Sequence, residues 1–459
     1  MRPTKWRRST HVLIGVAVLI LVAAIVGFAA LQSRGHREVV AIPAQPAAVT
    51  ADPAVTALAD TAPEPVPARL AAVLAPFAAN PDLGVLGGRV TDAATGEQLW
   101  QVGDDVPLQP ASVNKVLTTA AALATLDRDA VLTTEVLSDP DEPGLVILKG
   151  GGDPTLSAAP PDQQTWYRGA ARISDLAKQV RDAGFAATSV QVDLSAYSGP
   201  TLAPGWDPLD IKNGDMAPME SVMLDGGRTQ PVSVDSWRSD TPGLDAGRAL
   251  ATALGVDSKT VTVIRTTPVN AKQIGEVHSP PLIERLRQMM NDSDNVMAES
   301  TGREVAAAKG LPQSFDGGVQ AVLSVLQAND INTDGALLRD SSGLSIEDRL
   351  TALTLDEVVN IAVGDTHPKL RPLVDLLPIA GGSGTLSNRY LDTDAGRDAA
   401  GFLRAKTGSL TGTNALAGIV TDDSGRVLTF SLISNNASPT GRTAIDALAA
   451  ALRSCGCGP

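Results

Sequence analysis

Cysteine is nearly absent from this chain. Two residues, Cys455 and Cys457, stand in the terminal SCGCGP of a 459-residue sequence. That count rules out a disulfide framework. One intervening residue would also close a strained ring, so two lone thiols at a frayed end are expected. Histidine is scarce as well. His11 and His36 fall in the first 37 residues, which leaves His278 in EVHSPP and His367 in GDTHPK. Both positions suit a junction or a turn. A Ser-His-Asp hydrolase would also want a Gly-x-Ser-x-Gly turn, and AGGSGTL does not fit it. Aromatic residues make up 3%, so the core must be built mainly of Ala, Val and Leu.

Positive charge is short beyond the N-terminus. Residues 1–37 hold six basic side chains and no acidic one. Without them, 31 basic residues face 51 acidic ones, a net charge of −20. A surface that acidic is a poor partner for phosphate, which excludes nucleic acid as the expected ligand.

A long apolar run is present only once. Val12 to Leu31 is 20 residues without a charge, enough to span roughly 30 Å as a helix. Arg2, Lys5, Arg7 and Arg8 precede it, against Arg34 and Arg37 after it, which places the N-terminus in the cytoplasm. Residues 1–37 are therefore read as a cytoplasmic stub and signal anchor in the cell membrane, single-pass, with the body outside the cytoplasm. Gly27-Phe28-Ala29 leaves cleavage and secretion as the alternative. Residues 38–67 carry six prolines and no periodic apolar face, the mark of an extended tether.

A helix is expected over Ala68–Ala79, followed by a hairpin of LGVLGGRVTD and GEQLWQV. Short β-like runs (TTEVL, GLVILKG, SVQVDLS) then alternate with turns up to Val277. Helical pattern returns in PPLIERLRQMMNDSDNVMAESTGREVAA, around Gly317–Ala328 and over Thr354–Val363. The chain closes with strands FLRAKTGSL, ALAGIVTD and RVLTFSLIS and a helix over Thr443–Leu452. The expected class is α+β: an antiparallel sheet with helices, assigned to residues 68–130 and 278–459. A smaller β-rich inserted region occupies 131–277, although Gly144–Pro154 would also suit the body.

Three polar patterns stand out against this background. Ser112 and Lys115 in PASVNKVL are spaced i, i+3 near a helix start and face the same side. A serine there has a free backbone N–H, and a buried lysine gives up its proton more readily. Taken alone the pattern is weak: a capping serine and a surface lysine explain most occurrences of it. Ser293-Asp294-Asn295 interrupts two helical stretches, and Lys406-Thr407-Gly408-Ser409 lies on an expected strand. In this order, Ser-x-x-Lys, Ser-Asp-Asn and Lys-Thr-Gly form the signature of penicillin-binding proteins and class A β-lactamases.

With LKGGGDPTL, APGWDP, SVMLDGG, RDSSGLS, LPIAGGSGTL and AKTGSLTGTNALAG, residues 68–452 resemble the low-molecular-weight class C penicillin-binding proteins. These are D-alanyl-D-alanine carboxypeptidases and endopeptidases. The 181-residue separation of Ser293 from Ser112 exceeds what a β-lactamase interposes, and no Glu-x-x-Leu-Asn loop is evident. The insertion is shorter than in better-known members, with the deficit after Pro208, which implies a reduced or missing second inserted domain. The resemblance implies a serine DD-peptidase whose partners are peptidoglycan stem peptides, with β-lactams as inhibitors and no cofactor or metal.

By the same resemblance Ser112 is the nucleophile, Lys115 its base and Ser293 a proton relay. Lys406 supplies positive potential and helps keep Lys115 neutral. Asn295 binds the substrate backbone, and Thr407, Gly408 and Ser409 flank its carboxylate and oxyanion. Trp206, Asp210 and Arg349 are counterparts of residues that recognise the peptide's third side chain. Read from the chain alone, those three also suit a packed tryptophan, a turn aspartate and a structural arginine. A serine β-lactamase and a non-hydrolytic wall-binding protein on the same scaffold are the competing readings.

Overall fold

The computed structural model of the protein describes residues 62–230, 232–455, 457 and 458. The anchor expected at Val12–Leu31 and most of the tether lie outside them. Among the described residues no helix is long and apolar enough to cross a membrane.

The first helix, α1 (Pro67–Ala78), starts one residue before the expected position because Pro67 occupies its first turn, where a missing N–H costs nothing. It is followed by the hairpin β1 (Val85–Asp92) and β2 (Gln98–Val102). Next comes a 3-10 turn, Ala111–Asn114, which leads into α2 (Lys115–Thr125). The segment up to His278 contributes β3 (Thr133–Ser138), β4 (Leu145–Gly150), α3 (Ile173–Asp182), β5 (Ser189–Asp193), α4 (Pro242–Leu254), β6 (Thr262–Ile264) and β7 (Lys272–His278). Four longer helices succeed it: α5 (Leu282–Asp292), α6 (Asn295–Ala308), α7 (Phe315–Gln327) and α8 (Ala352–Val363). The chain ends with β8 (Leu403–Leu410), β9 (Thr413–Thr421), β10 (Val427–Asn435) and α9 (Gly441–Arg453).

The main sheet runs β2-β1-β10-β9-β8 and is antiparallel throughout. The N-terminal hairpin thus joins the three C-terminal strands, and β8 is left on an edge. Both faces are covered, so β10 reads VLTFSLISN with seven consecutive buried residues. Leu428, Phe430 and Leu432 point toward α1 and α9, where Leu70, Leu74, Ile445 and Leu448 pack on them. Ile433, Ala415 and Ala417 face the opposite layer, which is built from α2 and α5–α8. Polar residues on that second face are tied down: Thr429 donates to Asp356 (2.9 Å) and Ser431 to the carbonyl of Ala352 (2.6 Å).

The second sheet runs β6-β5-β4-β3-β7 and is mixed. β4, β5 and β6 are parallel, which requires crossovers; α3 and α4 supply them and bury Leu176, Val180, Leu250 and Ala251 on the sheet. Strands β6 and β7 were not among the runs expected from sequence; both are largely exposed and lack a continuous apolar pattern.

The C-terminal tail departs from expectation. Cys455 and Cys457 are paired as a disulfide, not left as lone thiols. The tail is docked rather than frayed. Cys457 is buried beside α1 and α9, and its carbonyl accepts from the Val66 N–H at 2.8 Å.

Leu74 is fully buried in this contact between α1 and the main sheet. Replacing it with alanine removes apolar burial and leaves a cavity, with an expected loss of about 2–5 kcal/mol. Urea unfolding, with an unchanged slope and a lower midpoint, is the measurement that checks it.

Candidate active site

The sequence brings Ser112 and Lys115 together locally. They sit at the start and just past the end of the 3-10 turn, where side chains three apart eclipse. Lys115 Nζ donates to Ser112 Oγ at 2.9 Å, to Asn295 Oδ1 at 2.7 Å and to the Ser342 carbonyl at 2.8 Å. Its side chain is fully buried, and burial lowers its pKa to about 8 against the pull of Asp340, Asp294, Glu299 and Asp348. Burial is therefore the main depressor of Lys115.

Ala111, immediately before the serine, holds a left-handed φ of 50° that an L-residue adopts only under constraint. The constraint is visible on two sides. A side chain at Gly343 would come within 2.0 Å of the Ala111 carbonyl, and one at Gly408 within 2.7 Å of the Pro110 carbonyl. Glycine at 408 therefore lets β8 run against the turn, with the Ser112 amide alongside.

The second motif is a cap. α5 ends at Ser293, whose φ is 59°, and Asp294 begins α6 by accepting from the Met297 N–H at 2.9 Å. The Tyr167 hydroxyl donates to the same carboxylate at 2.7 Å. Burial opposes ionisation of Asp294, yet Arg238, Arg228 and these hydrogen bonds keep its pKa below the ordinary range. The cap turns Ser293 and Asn295 toward the cleft. Ser293 Oγ accepts from Lys406 Nζ at 2.9 Å, and Asn295 Nδ2 donates to the Asp215 carbonyl at 2.9 Å.

Lys406, on edge strand β8, is fully buried and also donates to the Thr407 carbonyl at 2.8 Å. Burial first, then Lys115 and Arg389, drive its pKa well below the usual lysine range. Thr407 shares a hydrogen bond with the Thr385 hydroxyl at 2.8 Å, while Ser409 is exposed.

A cleft of about 830 Å³ opens on this group, lined by Ser112, Ser293, Asn295, Thr407, Ser409 and Thr385 among others. Asp210 also lines it, in a single helical turn over Leu209–Asn213, and burial raises its pKa. Two expected substrate contacts are placed elsewhere. The indole of Trp206 is buried edge-on against Phe315, with its N–H bonded to Asp340 at 2.7 Å. Arg349 is exposed, and its guanidinium bonds to the carbonyls of Ile346 and Asp348 in its own loop. Neither lines the cleft. Sequence reading assigned no part to Thr385, Ser342, Asp215 or Asp340; the run GSGTL and the loop RDSSGLS hinted at three of them, all but Asp215. Among the described residues no group of three or more His, Cys, Asp or Glu side chains is placed to hold a metal.

A nucleophile-like serine, two buried lysines and a strand edge on an α+β body define a class. The backbone superposes on penicillin-binding protein 4 (dacB) of Haemophilus influenzae with a TM-score of 0.66, covering 83% of this chain and 97% of that one at 22% identity. The fold is that of a penicillin-binding protein. The model of the D-Ala-D-Ala carboxypeptidase 3 (S13) family matches residues 70–237 and 229–454, and the chain belongs to that family. It is 69% identical to carboxypeptidase DacB of Mycolicibacterium smegmatis and 59% identical to carboxypeptidase Rv3627c of Mycobacterium tuberculosis, covering all of this chain and all of each relative. Residues 1–57 match the N-terminal domain of Rv3627c-like carboxypeptidases. The protein is thus a serine-type DD-carboxypeptidase of the low-molecular-weight class C group.

Gly408→Ala would push β8 and the Ser112 turn apart. A misplacement of about 1 Å at the reacting atoms costs on the order of 100-fold in rate. Acylation by a fluorescent penicillin should fall by that factor, with the melting temperature within a few degrees of wild type.

Proposed function

We propose that the protein removes the terminal D-alanine from peptidoglycan stem peptides ending in D-Ala-D-Ala, and that it opens cross-links by the same chemistry. The observation that carries this reading is the 2.9 Å contact between Ser112 Oγ and the buried amine of Lys115. Neutral Lys115 takes the hydroxyl proton as Ser112 attacks the carbonyl between the two D-alanines. The backbone N–H groups of Ser112 and Ser409 receive the oxyanion, each worth roughly 3–4 kcal/mol. The C–N bond then breaks, and D-alanine leaves with a proton passed through Ser293, which Lys406 positions. Water hydrolyses the ester and restores Ser112.

Thr407 and Ser409 hold the terminal carboxylate beside the positive potential of Lys406. Asn295 orients Lys115 and, by exchanging its bond to Asp215, presents its amide to the substrate backbone. Asp210 faces the stem peptide's third side chain. Trp206 and Arg349 serve that recognition indirectly, by shaping the loops they bond to. Residues 68–130 and 278–459 form the peptidase body, and 131–277 an inserted domain that supports the Ser293 wall. Residues 1–37 act as a signal anchor that holds the body outside the cytoplasm, with cleavage and release as the alternative.

D-alanine release from a D-Ala-D-Ala pentapeptide should be present in the wild-type body and absent in Ser112→Ala. No release from a folded wild type would overturn the reading. Rapid penicillin turnover in place of a stable acyl-enzyme would replace it with a β-lactamase.

The pH dependence has a definite sign. Lys115 must be neutral to act as base, and its pKa stands at about 8. Acylation rate should therefore rise as pH increases from about 6 to about 9 and flatten above the lysine's pKa. Stopped-flow or gel-based acylation across that range checks it.

A further inference from the structure

Asp340 belongs to none of the three motifs, yet it is fully buried beside them. Its carboxylate is filled by N–H donors. Oδ1 accepts from the Ser342 and Gly343 amides at 3.0 and 2.5 Å, and Oδ2 from the Ser345 amide and the Trp206 indole, both at 2.7 Å. These bonds wind residues 340–345 into a tight loop. Its carbonyls then reach the catalytic helix: Ser342 O accepts from Lys115 Nζ at 2.8 Å, and Ser341 O from the Thr118 hydroxyl at 2.6 Å. The Asp340 carbonyl takes the Asn114 side-chain amide at 3.2 Å. Gly343, with φ of 80°, lies against the Ala111 carbonyl.

We propose that Asp340 is a positioning residue for acylation: by gathering these N–H groups it presents the Ser342 carbonyl to Lys115 and so aims the amine at Ser112. The proposal rests on the reading of Lys115 as the base.

Asp348 completes the device. Its Oδ1 accepts from the Arg339 amide at 2.6 Å, while its buried Oδ2 has no hydrogen-bond partner. Burial first, then the nearby Asp340, raises the Asp348 pKa to about 10, so it keeps its proton. The charged or titratable groups acting on Lys115 are Asp340, Asp294, Glu299 and Asp348; Lys406 is coupled to it from the strand side. Asp340 heads that list. Removing its charge makes Lys115 lose its proton at lower pH.

The test is acylation by fluorescent penicillin from about pH 6 to pH 10 in the full chain, with a thermal melt for each variant. Asp340→Asn keeps one acceptor and loses the charge. It should lower the high-pH acylation rate at least tenfold and shift the rising limb to lower pH. A folded variant with the wild-type rate, or with a lower rate on an unmoved limb, overturns the proposal. Asp348→Asn keeps an acceptor for the Arg339 amide beside Asp340, so it should retain most of the rate that Asp348→Ala loses. Equal rates in those two variants overturn the proposal even where Asp340→Asn does not fold. A wild type that is never acylated would sink the premise about Lys115 and Ser112 instead.

Discussion

The site depends on keeping a lysine amine dry and within reach of a hydroxyl. An ammonium taken out of water loses several kcal/mol of hydration, which its surroundings must offset or the proton must leave. Here both happen in part. Three acceptors from three parts of the chain, Ser112, Asn295 and Ser342, saturate Lys115. Acids at longer range, Asp340 first, favour its charge, and burial opposes it more strongly. The balance leaves a base that is neutral often enough to work near physiological pH.

Much of the surrounding backbone is bent to make that contact. Ala111 and Ser293 both hold left-handed φ values, the first just before Ser112 and the second at the serine of the second motif itself. Such conformations cost of order 1–3 kcal/mol each and persist only where neighbours over-determine them. The neighbours are identifiable. Gly343 and Gly408 close on the Ser112 turn from opposite sides, and the Asp294 cap and Tyr167 fix the break at Ser293.

The segment between β3 and β7 does more than fill a gap in the chain. Tyr167 holds Asp294, the Asp215 carbonyl holds Asn295, and the Gly152 carbonyl accepts from Ser300 one turn along α6 at 2.7 Å. Trp206 reaches across to Asp340. One wall of the cleft is thus braced from residues that lie far from the motifs in sequence. This also accounts for the fate of Trp206: an indole N–H taken out of water needs a partner, and a buried carboxylate supplied it.

What the sequence determined by itself is local. The i, i+3 spacing of Ser112 and Lys115, the helical break at Ser293–Asn295 and the strand around Lys406 follow from periodicity, capping and short-range sterics. The helices of the body and the three C-terminal strands were legible for the same reason. β6 and β7 were not, because exposed strands carry little apolar alternation. Tertiary structure decided the rest. Burial of Lys115, and hence its basicity, comes from elements more than 150 residues away. The role of Asp340 depends on where the loop RDSSGLS lands, and the tail with its Cys455–Cys457 pair is docked beside α1. Proton affinity and hydrogen-bond partners are properties of a folded neighbourhood, and spacing along the chain does not contain them.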